Sequence, residues 1–91
     1  MIKDSLERKL RDAFHPEFVE VTDQSHKHRG HGGWRPEGET HFHLRAVASA
    51  FAGMSRMARQ REVYKLYGEE FAAGLHALSL DLKTPEEAER G

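Results

Sequence analysis

The sequence predicts an α+β fold in which helices cover one face of a three-stranded mixed sheet. Two stretches of the chain carry apolar residues at helical spacing, one near the N-terminus and one between residues 56 and 71. Three shorter segments alternate apolar and polar residues, as half-buried strands do. The patterns follow one another as α-β-β-α-β, and a chain of 91 residues allows a single domain over residues 1–91.

The first half of the chain predicts one helix followed by two strands. The helix is expected over residues 2–14, since an apolar residue recurs at helical spacing and Pro16 stops the pattern. Residues 18–24, FVEVTDQ, are rich in β-branched residues and predict the first strand. Residues 40–48, THFHLRAVA, alternate again and predict the second. Its apolar face is formed by Phe42, Leu44 and Ala46, and its polar face by His41, His43 and Arg45.

The second half predicts a helix, a third strand and a short last helix. The helix is expected from about Arg56 to Phe71, with Gly74 ending it. Residues 76–82, HALSLDL, alternate and predict the third strand. Because a helix connects the second and third strands, those two can run parallel through a right-handed crossover. The closing TPEEAER begins with an N-cap threonine and a proline at the first helical position, as helices often do.

The connection between the first two strands is long and rich in histidine. Its first part, SHKHRGHGG, holds three histidines and three glycines and no apolar residue. Imidazole suits zinc, copper, iron and nickel, so His26, His28 and His31 are candidate metal ligands. Nothing in the spacing defines a coordination geometry, and a solvated polar loop is the alternative. The unusual length of this connection is itself a hint of function.

Composition narrows the classes of function. The chain has no cysteine, so it supplies neither a disulfide nor a thiolate ligand or nucleophile. Ser25 and His28 resemble a nucleophile and its base, but a glycine-rich loop does not hold the alignment that this chemistry needs, and we expect no enzyme activity and no small-molecule substrate.

No secretory signal or membrane span is evident, so a cytoplasmic location without membrane contact is expected. Residues 26–65 carry eight Lys or Arg and three acidic residues, which suits an acidic partner or nucleic acid as well as a solvated surface.

Several stretches together resemble the BolA-like protein family. They are SHKH, GETHFHL, FAGMSRMARQREVY, LHALSL and the closing KTPEE, in this order. The resemblance extends over residues 1–87 and leaves residues 88–91 as a tail. It implies a class II KH-like fold, α-β-β-α-β with a possible last helix, in agreement with the order of elements predicted from the patterns.

The resemblance also implies a partner and a cofactor. BolA-like proteins pair with monothiol glutaredoxins, and such a pair can share a [2Fe-2S] cluster together with glutathione. In the family one ligand is a histidine or cysteine between the first two strands, and the other is the histidine of the HAL stretch. The S-x-x-H pattern then implies His28, with His31 and His26 as alternatives, and the HAL stretch implies His76. Alone, the chain is expected to hold no cofactor. The implied role is assembly or transfer of iron–sulfur clusters, or iron sensing.

Nucleic-acid binding is the alternative that the same resemblance suggests. KH domains bind RNA with a G-x-x-G loop between two helices, whereas the GHGG of this chain lies between two predicted strands. The RNA-binding loop is therefore missing from its proper place. Some BolA-like proteins are described as DNA-binding transcription regulators, and four basic residues near the start of the second helix are candidates for contacts with phosphates: Arg56, Arg59, Arg61 and Lys65.

Overall fold

The computed structural model describes residues 2–25 and 40–90, which form four α-helices and three strands. In chain order the elements are α1 (Ile2–Phe14), β1 (Phe18–Asp23), β2 (His41–Val47), α2 (Arg56–Lys65), α3 (Gly68–Ala72), β3 (Ala77–Lys83) and α4 (Pro85–Arg90). A short 3₁₀ turn, Ser49–Phe51, leads out of β2. Within the described residues, no helix combines the length and the apolar character that crossing a membrane requires.

The three strands form one mixed sheet in the order β1–β2–β3. β1 pairs with β2 antiparallel, and β2 pairs with β3 parallel, as the helical connection between them predicted. The register places Val21, Leu44 and Leu80 side by side, so one face of the sheet is a continuous apolar surface. The predicted α+β fold with a three-stranded mixed sheet is confirmed.

The core lies between that apolar face and the helices. α1 contributes Leu6 and Leu10, which have no exposed surface, and the helical region after β2 contributes Val63 and Tyr67, which have none either. The Tyr67 hydroxyl donates a hydrogen bond to the carbonyl of Leu6 (2.8 Å), so it joins α1 to the helical region after β2. Burial and the nearby Glu70 carboxylate raise the pKa of the Tyr67 phenol, which stays protonated as a donor.

The prediction of one helix from Arg56 to Phe71 is wrong in one respect, because this region forms two helices. The amides of Leu66 and Tyr67 bond to carbonyls three residues back (3.0 and 3.1 Å), which ends α2 in a tighter turn. α3 then begins at Gly68. Val63 and Tyr67 are buried as the helical spacing predicted, but Phe71, beyond the break, is exposed.

The last helix forms and extends through most of the predicted tail. The Thr84 hydroxyl accepts from the Glu87 amide (3.2 Å), and the Glu87 carboxylate accepts from the Thr84 amide (2.9 Å). This reciprocal pair is a capping box, which satisfies two backbone donors at the start of a helix. Residues 88–90 are therefore helical and not a tail.

Candidate functional site

The candidate site lies at the end of the sheet where β1 finishes and both β2 and β3 begin. The antiparallel and parallel pairings bring these three strand ends to the same edge of the sheet, the edge that runs across the ends of the strands. His41 is paired in register with Ala77, the residue that follows His76. Segment 26–39 leaves the described structure after Ser25 and rejoins it at Thr40, so both of its attachment points lie at this edge.

A buried serine joins the two attachment points. The Ser25 hydroxyl oxygen accepts hydrogen bonds from the amides of Thr40 (3.0 Å) and His41 (3.2 Å), and the hydroxyls of Ser25 and Thr40 are hydrogen-bonded to each other (3.2 Å). The Ser25 amide in turn donates to the Asp23 carboxylate (2.9 Å). Ser25 is 3% exposed and Thr40 is fully buried. The hydroxyl serves as a backbone acceptor, which is a structural use and not that of a nucleophile beside a base.

The backbone of His76 is held from two sides. On one side, α3 ends in a Schellman motif, in which the Leu75 amide donates to the Glu70 carbonyl (3.0 Å) and the Gly74 amide to the Phe71 carbonyl (3.3 Å). Gly74 has φ 124°, which glycine adopts without steric cost. On the other side, the carbonyl of Thr40 accepts from the His76 amide (2.7 Å). The predicted helix stop at Gly74 is confirmed.

His76 and His41 lie against each other but differ in exposure. Their ring centroids are 5.1 Å apart, and the ring planes are inclined by 52°. His76 is exposed, whereas His41 is 5% exposed and its Nδ1 is hydrogen-bonded to the Thr40 hydroxyl (2.8 Å). His41 therefore packs on a neighbour, and His76 is the imidazole of this pair that a second molecule can reach.

The predicted loop candidates His26, His28 and His31 all lie outside the described residues. Their placement toward His76 stays a prediction. Among residues 2–25 and 40–90, no group of three or more His, Cys, Asp or Glu side chains is arranged to hold a metal ion. At the edge where β3 begins, the described residues offer a metal one accessible imidazole, that of His76, which lies against the ring of His41.

The donor set fits a metal group only as part of a larger ligand shell. An iron–sulfur cluster with two iron atoms ordinarily has four ligands, mostly thiolates, and histidines replace two of them in Rieske-type centres. This chain has no thiolate to give, and the ligand that its candidate residues supply is imidazole nitrogen. The remaining ligands of such a group would have to come from another molecule.

The basic residues named for nucleic-acid binding do not form one exposed set. Arg59 is 6% exposed, and its guanidinium donates to the Leu82 carbonyl (3.1 Å) and to both carboxylate oxygens of Glu87 (2.6 and 3.0 Å). The Arg59 guanidinium is therefore buried and hydrogen-bonded within the protein, and it is not placed to contact a phosphate. Lys65 is paired with Glu62 (3.0 Å) on the surface. Arg56 and Arg61 are exposed.

Sequence reasoning assigned Thr40 and His41 no part in the site and considered Ser25 only as a nucleophile. The alternation of β2 placed His41 on the polar face, where most side chains are solvated. His41 is buried, and its ring contacts that of His76, which is distant in sequence. The available signal was the serine of the S-x-x-H pattern, which is small, polar and directly follows a strand.

The chain matches a family model and several known proteins, some of which carry that family's name. Residues 10–87 match the model described as BolA-like protein. A protein from Sinorhizobium, described as an uncharacterized protein in the cobS 5' region, is 48% identical over 98% of this chain and 97% of its own length. The DNA-binding transcriptional regulator BolA of Escherichia coli is 38% identical over 98% of this chain and 81% of its own length.

A solved structure is similar to nearly the whole chain. The BolA domain of SufE1 from Arabidopsis thaliana superposes with a TM-score of 0.83, at 44% identity, over 93% of each chain. In SufE-like protein 1 of the same plant, the matching segment is 23% of the length. The similar proteins are thus stand-alone chains in some organisms and one part of a longer protein in another.

Proposed function

The chain belongs to the BolA-like protein family, and from this premise we propose that it is a non-enzymatic partner of a monothiol glutaredoxin with which it shares a [2Fe-2S] cluster. Its relatives carry the names of regulators or BolA-like proteins, and no catalytic family is indicated. The observation that carries the proposal is an exposed His76 beside the two attachment points of a histidine-rich segment.

The proposed ligands from this chain are His76 and one histidine of segment 26–39. His28 is the first choice, with His31 and His26 as alternatives. His28 follows Ser25 by three residues, and three residues of extended chain span at most about 11 Å. Ser25 is bonded to the same Thr40 whose carbonyl holds the His76 amide, and this closeness of Ser25 to His76 supports the choice of His28.

The partner would complete the ligand shell. Its cysteine and a glutathione thiolate would bind one iron, and two imidazoles from this chain would bind the other. Two neutral imidazoles in place of two thiolates remove negative charge, which raises the reduction potential of such a cluster. Because a protonated imidazole does not bind metal, the shared cluster is expected to be lost as the pH falls.

The test is a spectroscopic titration of a cluster-loaded monothiol glutaredoxin with glutathione. Addition of the wild-type protein is expected to give a new visible absorption and circular dichroism spectrum. His76→Ala is expected to lower the stability of the shared cluster, since it removes a ligand. Single changes of His26, His28 and His31 identify the second ligand.

His41→Ala is the matched control, because His41 touches His76 but is buried. It is expected to weaken the cluster less than His76→Ala does. Equal effects of the two changes would contradict the assignment of His76 as the ligand. A wild-type mixture with an unchanged spectrum would contradict the proposed function itself.

DNA binding is the second candidate function, supported by the Escherichia coli relative's name and by two exposed arginines. Arg56 lines a cleft of about 390 Å³ with two further basic residues, Lys83 and Arg90, and with the acidic Asp81 and Glu87. Arg56→Ala and Arg61→Ala would then weaken binding to duplex DNA and reduce its dependence on salt. Arg59→Ala is not a probe of this candidate, because Arg59 is buried in the fold.

A further inference from the structure

We propose that Ser25 is a positioning residue, whose hydroxyl couples both attachment points of segment 26–39 to the backbone of His76. The positioning role rests on the proposed function, in which a ligand from that segment and His76 bind the same metal group. Its structural part depends only on described residues. The term Ser25 bridge is used below for the hydrogen bonds from the Thr40 and His41 amides to Ser25 Oγ.

The first step is the connection between β1 and β2. A serine hydroxyl has two acceptor lone pairs, and the two backbone amides of the Ser25 bridge can occupy both. Removal of the hydroxyl would leave two buried donors without that partner, which is unfavourable in a buried setting.

The second step is the connection from Thr40 to β3. The Thr40 carbonyl accepts from the amides of both His76 (2.7 Å) and Ala77 (3.0 Å). The peptide group between Thr40 and His41 therefore links Ser25 to His76. Its amide donates to Ser25 Oγ, and its carbonyl accepts from the His76 amide. A shift of Thr40 would move the backbone of His76 with it.

The third step is what holds Ser25 itself. Its amide donates to the Asp23 carboxylate at the end of β1, and the neighbouring Gln24 amide donates to the His41 carbonyl (2.7 Å). Ser25 is thereby tied to the sheet. Both attachment points of segment 26–39, Ser25 and Thr40, are therefore held at the edge where His76 lies.

The first experiment is amide hydrogen exchange by NMR on the isolated protein, without metal or partner. In Ser25→Ala, exchange at His76 and Ala77 is expected to rise about tenfold or more relative to Leu44 in the central strand. Ser55→Ala is the matched control, because Ser55 Oγ also accepts one backbone amide, that of Ala58, but at the start of α2. It is expected to leave the exchange at His76 within about twofold of wild type relative to Leu44.

A general acceleration in Ser25→Ala, equal at His76 and Leu44, would overturn the proposal, since it would indicate lower overall stability only. If Ser25→Ala does not fold, Asp23→Ala provides the same test. That change removes the acceptor of the Ser25 amide from a half-exposed position, and a smaller acceleration confined to Thr40, His41 and His76 is expected. No preferential acceleration in Asp23→Ala would overturn the proposal.

The second experiment measures the half-life of the cluster shared with a glutaredoxin under challenge by a chelator. Ser25→Ala is expected to shorten it about tenfold, as loss of a supporting hydrogen bond around a metal site does, and Ser55→Ala is expected to leave it unchanged. An unchanged half-life in Ser25→Ala would overturn the positioning role. Failure of the wild type to form the cluster would instead count against the proposed function, and the exchange data would still decide whether Ser25 holds His76.

Discussion

The described histidines have different roles in this protein, according to where each side chain lies. His41 is buried against His76, whereas His43 is on the same strand, further from the edge, and its Nδ1 is hydrogen-bonded to the Ser79 hydroxyl (2.6 Å). His15 follows α1 with φ 47°, and its amide bonds to the Arg11 carbonyl (3.0 Å). The left-handed conformation of His15 ends the helix but is strained for a residue with a Cβ atom.

Replacement of His15 by glycine is expected to stabilise the protein. His15→Gly removes the Cβ from a left-handed position, with an expected gain of about 0.5–1 kcal/mol in the free energy of unfolding. Urea denaturation followed by circular dichroism measures it. His15→Ala is the control, because alanine keeps the Cβ, and it should show no such gain. A His15→Gly variant less stable than His15→Ala would show that the imidazole contributes more than the backbone strain costs.

Elements in the second half of the chain are joined by one ion pair. Arg59 on α2 contacts the end of β3 through the Leu82 carbonyl and the start of α4 through Glu87. Its guanidinium carbon also lies 5.9 Å from the centre of the Phe51 ring. The same Glu87 closes the capping box of α4, so a single carboxylate orients the last helix and neutralises a buried arginine.

The Arg59–Glu87 pair should make stability depend on pH. Hydrogen bonding to Arg59, together with the Thr84 amide, lowers the pKa of the Glu87 carboxyl from 4.5 to about 2. The ionised form is favoured in the folded state, so its contribution is fully present above pH 4.5 and is lost as the pH falls toward 2. Glu87→Gln is therefore expected to be less stable than wild type above pH 4.5, with a difference that narrows toward pH 2.

Urea unfolding across this pH range measures the difference between the two proteins. Glu86→Gln, one residue earlier on α4 and paired on the surface with Arg90, is the matched control and should show a much weaker effect. A deficit in Glu87→Gln that stays constant down to pH 2 would contradict the link between stability and this carboxyl.

At the scale of the whole molecule, the sheet has one apolar and one polar face. Leu44 in the central strand has no exposed surface and lies in the core. The next residue, Arg45, lies on the other face in a row between Glu20 and Asp81, with nitrogen–oxygen distances of 3.9 and 3.6 Å. Helix packing on the first face supplies most of the stability, and the second face carries pairs of exposed charges that contribute little.

Two neighbouring substitutions test this division. Leu44→Ala is expected to lower the free energy of unfolding by about 2–5 kcal/mol, because it leaves a cavity in the core. Arg45→Ala is expected to change it by about 1 kcal/mol or less, since exposed ion pairs contribute little. Urea unfolding of the two variants provides the comparison. Similar losses in both would mean that the polar face carries more of the stability than its exposure indicates.

The sequence by itself determined the order of elements and the apolar face of the sheet. Alternation in residues 40–48 and spacing in residues 2–14 are local signals, because the strand and helix periods are set by the backbone. Gly74 and Thr84 were likewise recognised, since helix ends depend on a few neighbouring residues. The family, too, was evident from the order of five short motifs.

Only the tertiary structure decided which polar side chains are buried and with what partner. The burial of Arg59 and the contact of His41 with His76 depend on residues distant in sequence. The role of Ser25 depends on distant residues too, because its hydroxyl oxygen accepts hydrogen bonds from the amides of Thr40 and His41, which are 15 and 16 residues away in sequence. A polar side chain in a predicted strand can be exposed to solvent, or it can be buried and hydrogen-bonded. Which of the two occurs depends on contacts with residues distant in sequence, and the local alternation of apolar and polar residues does not reveal those contacts.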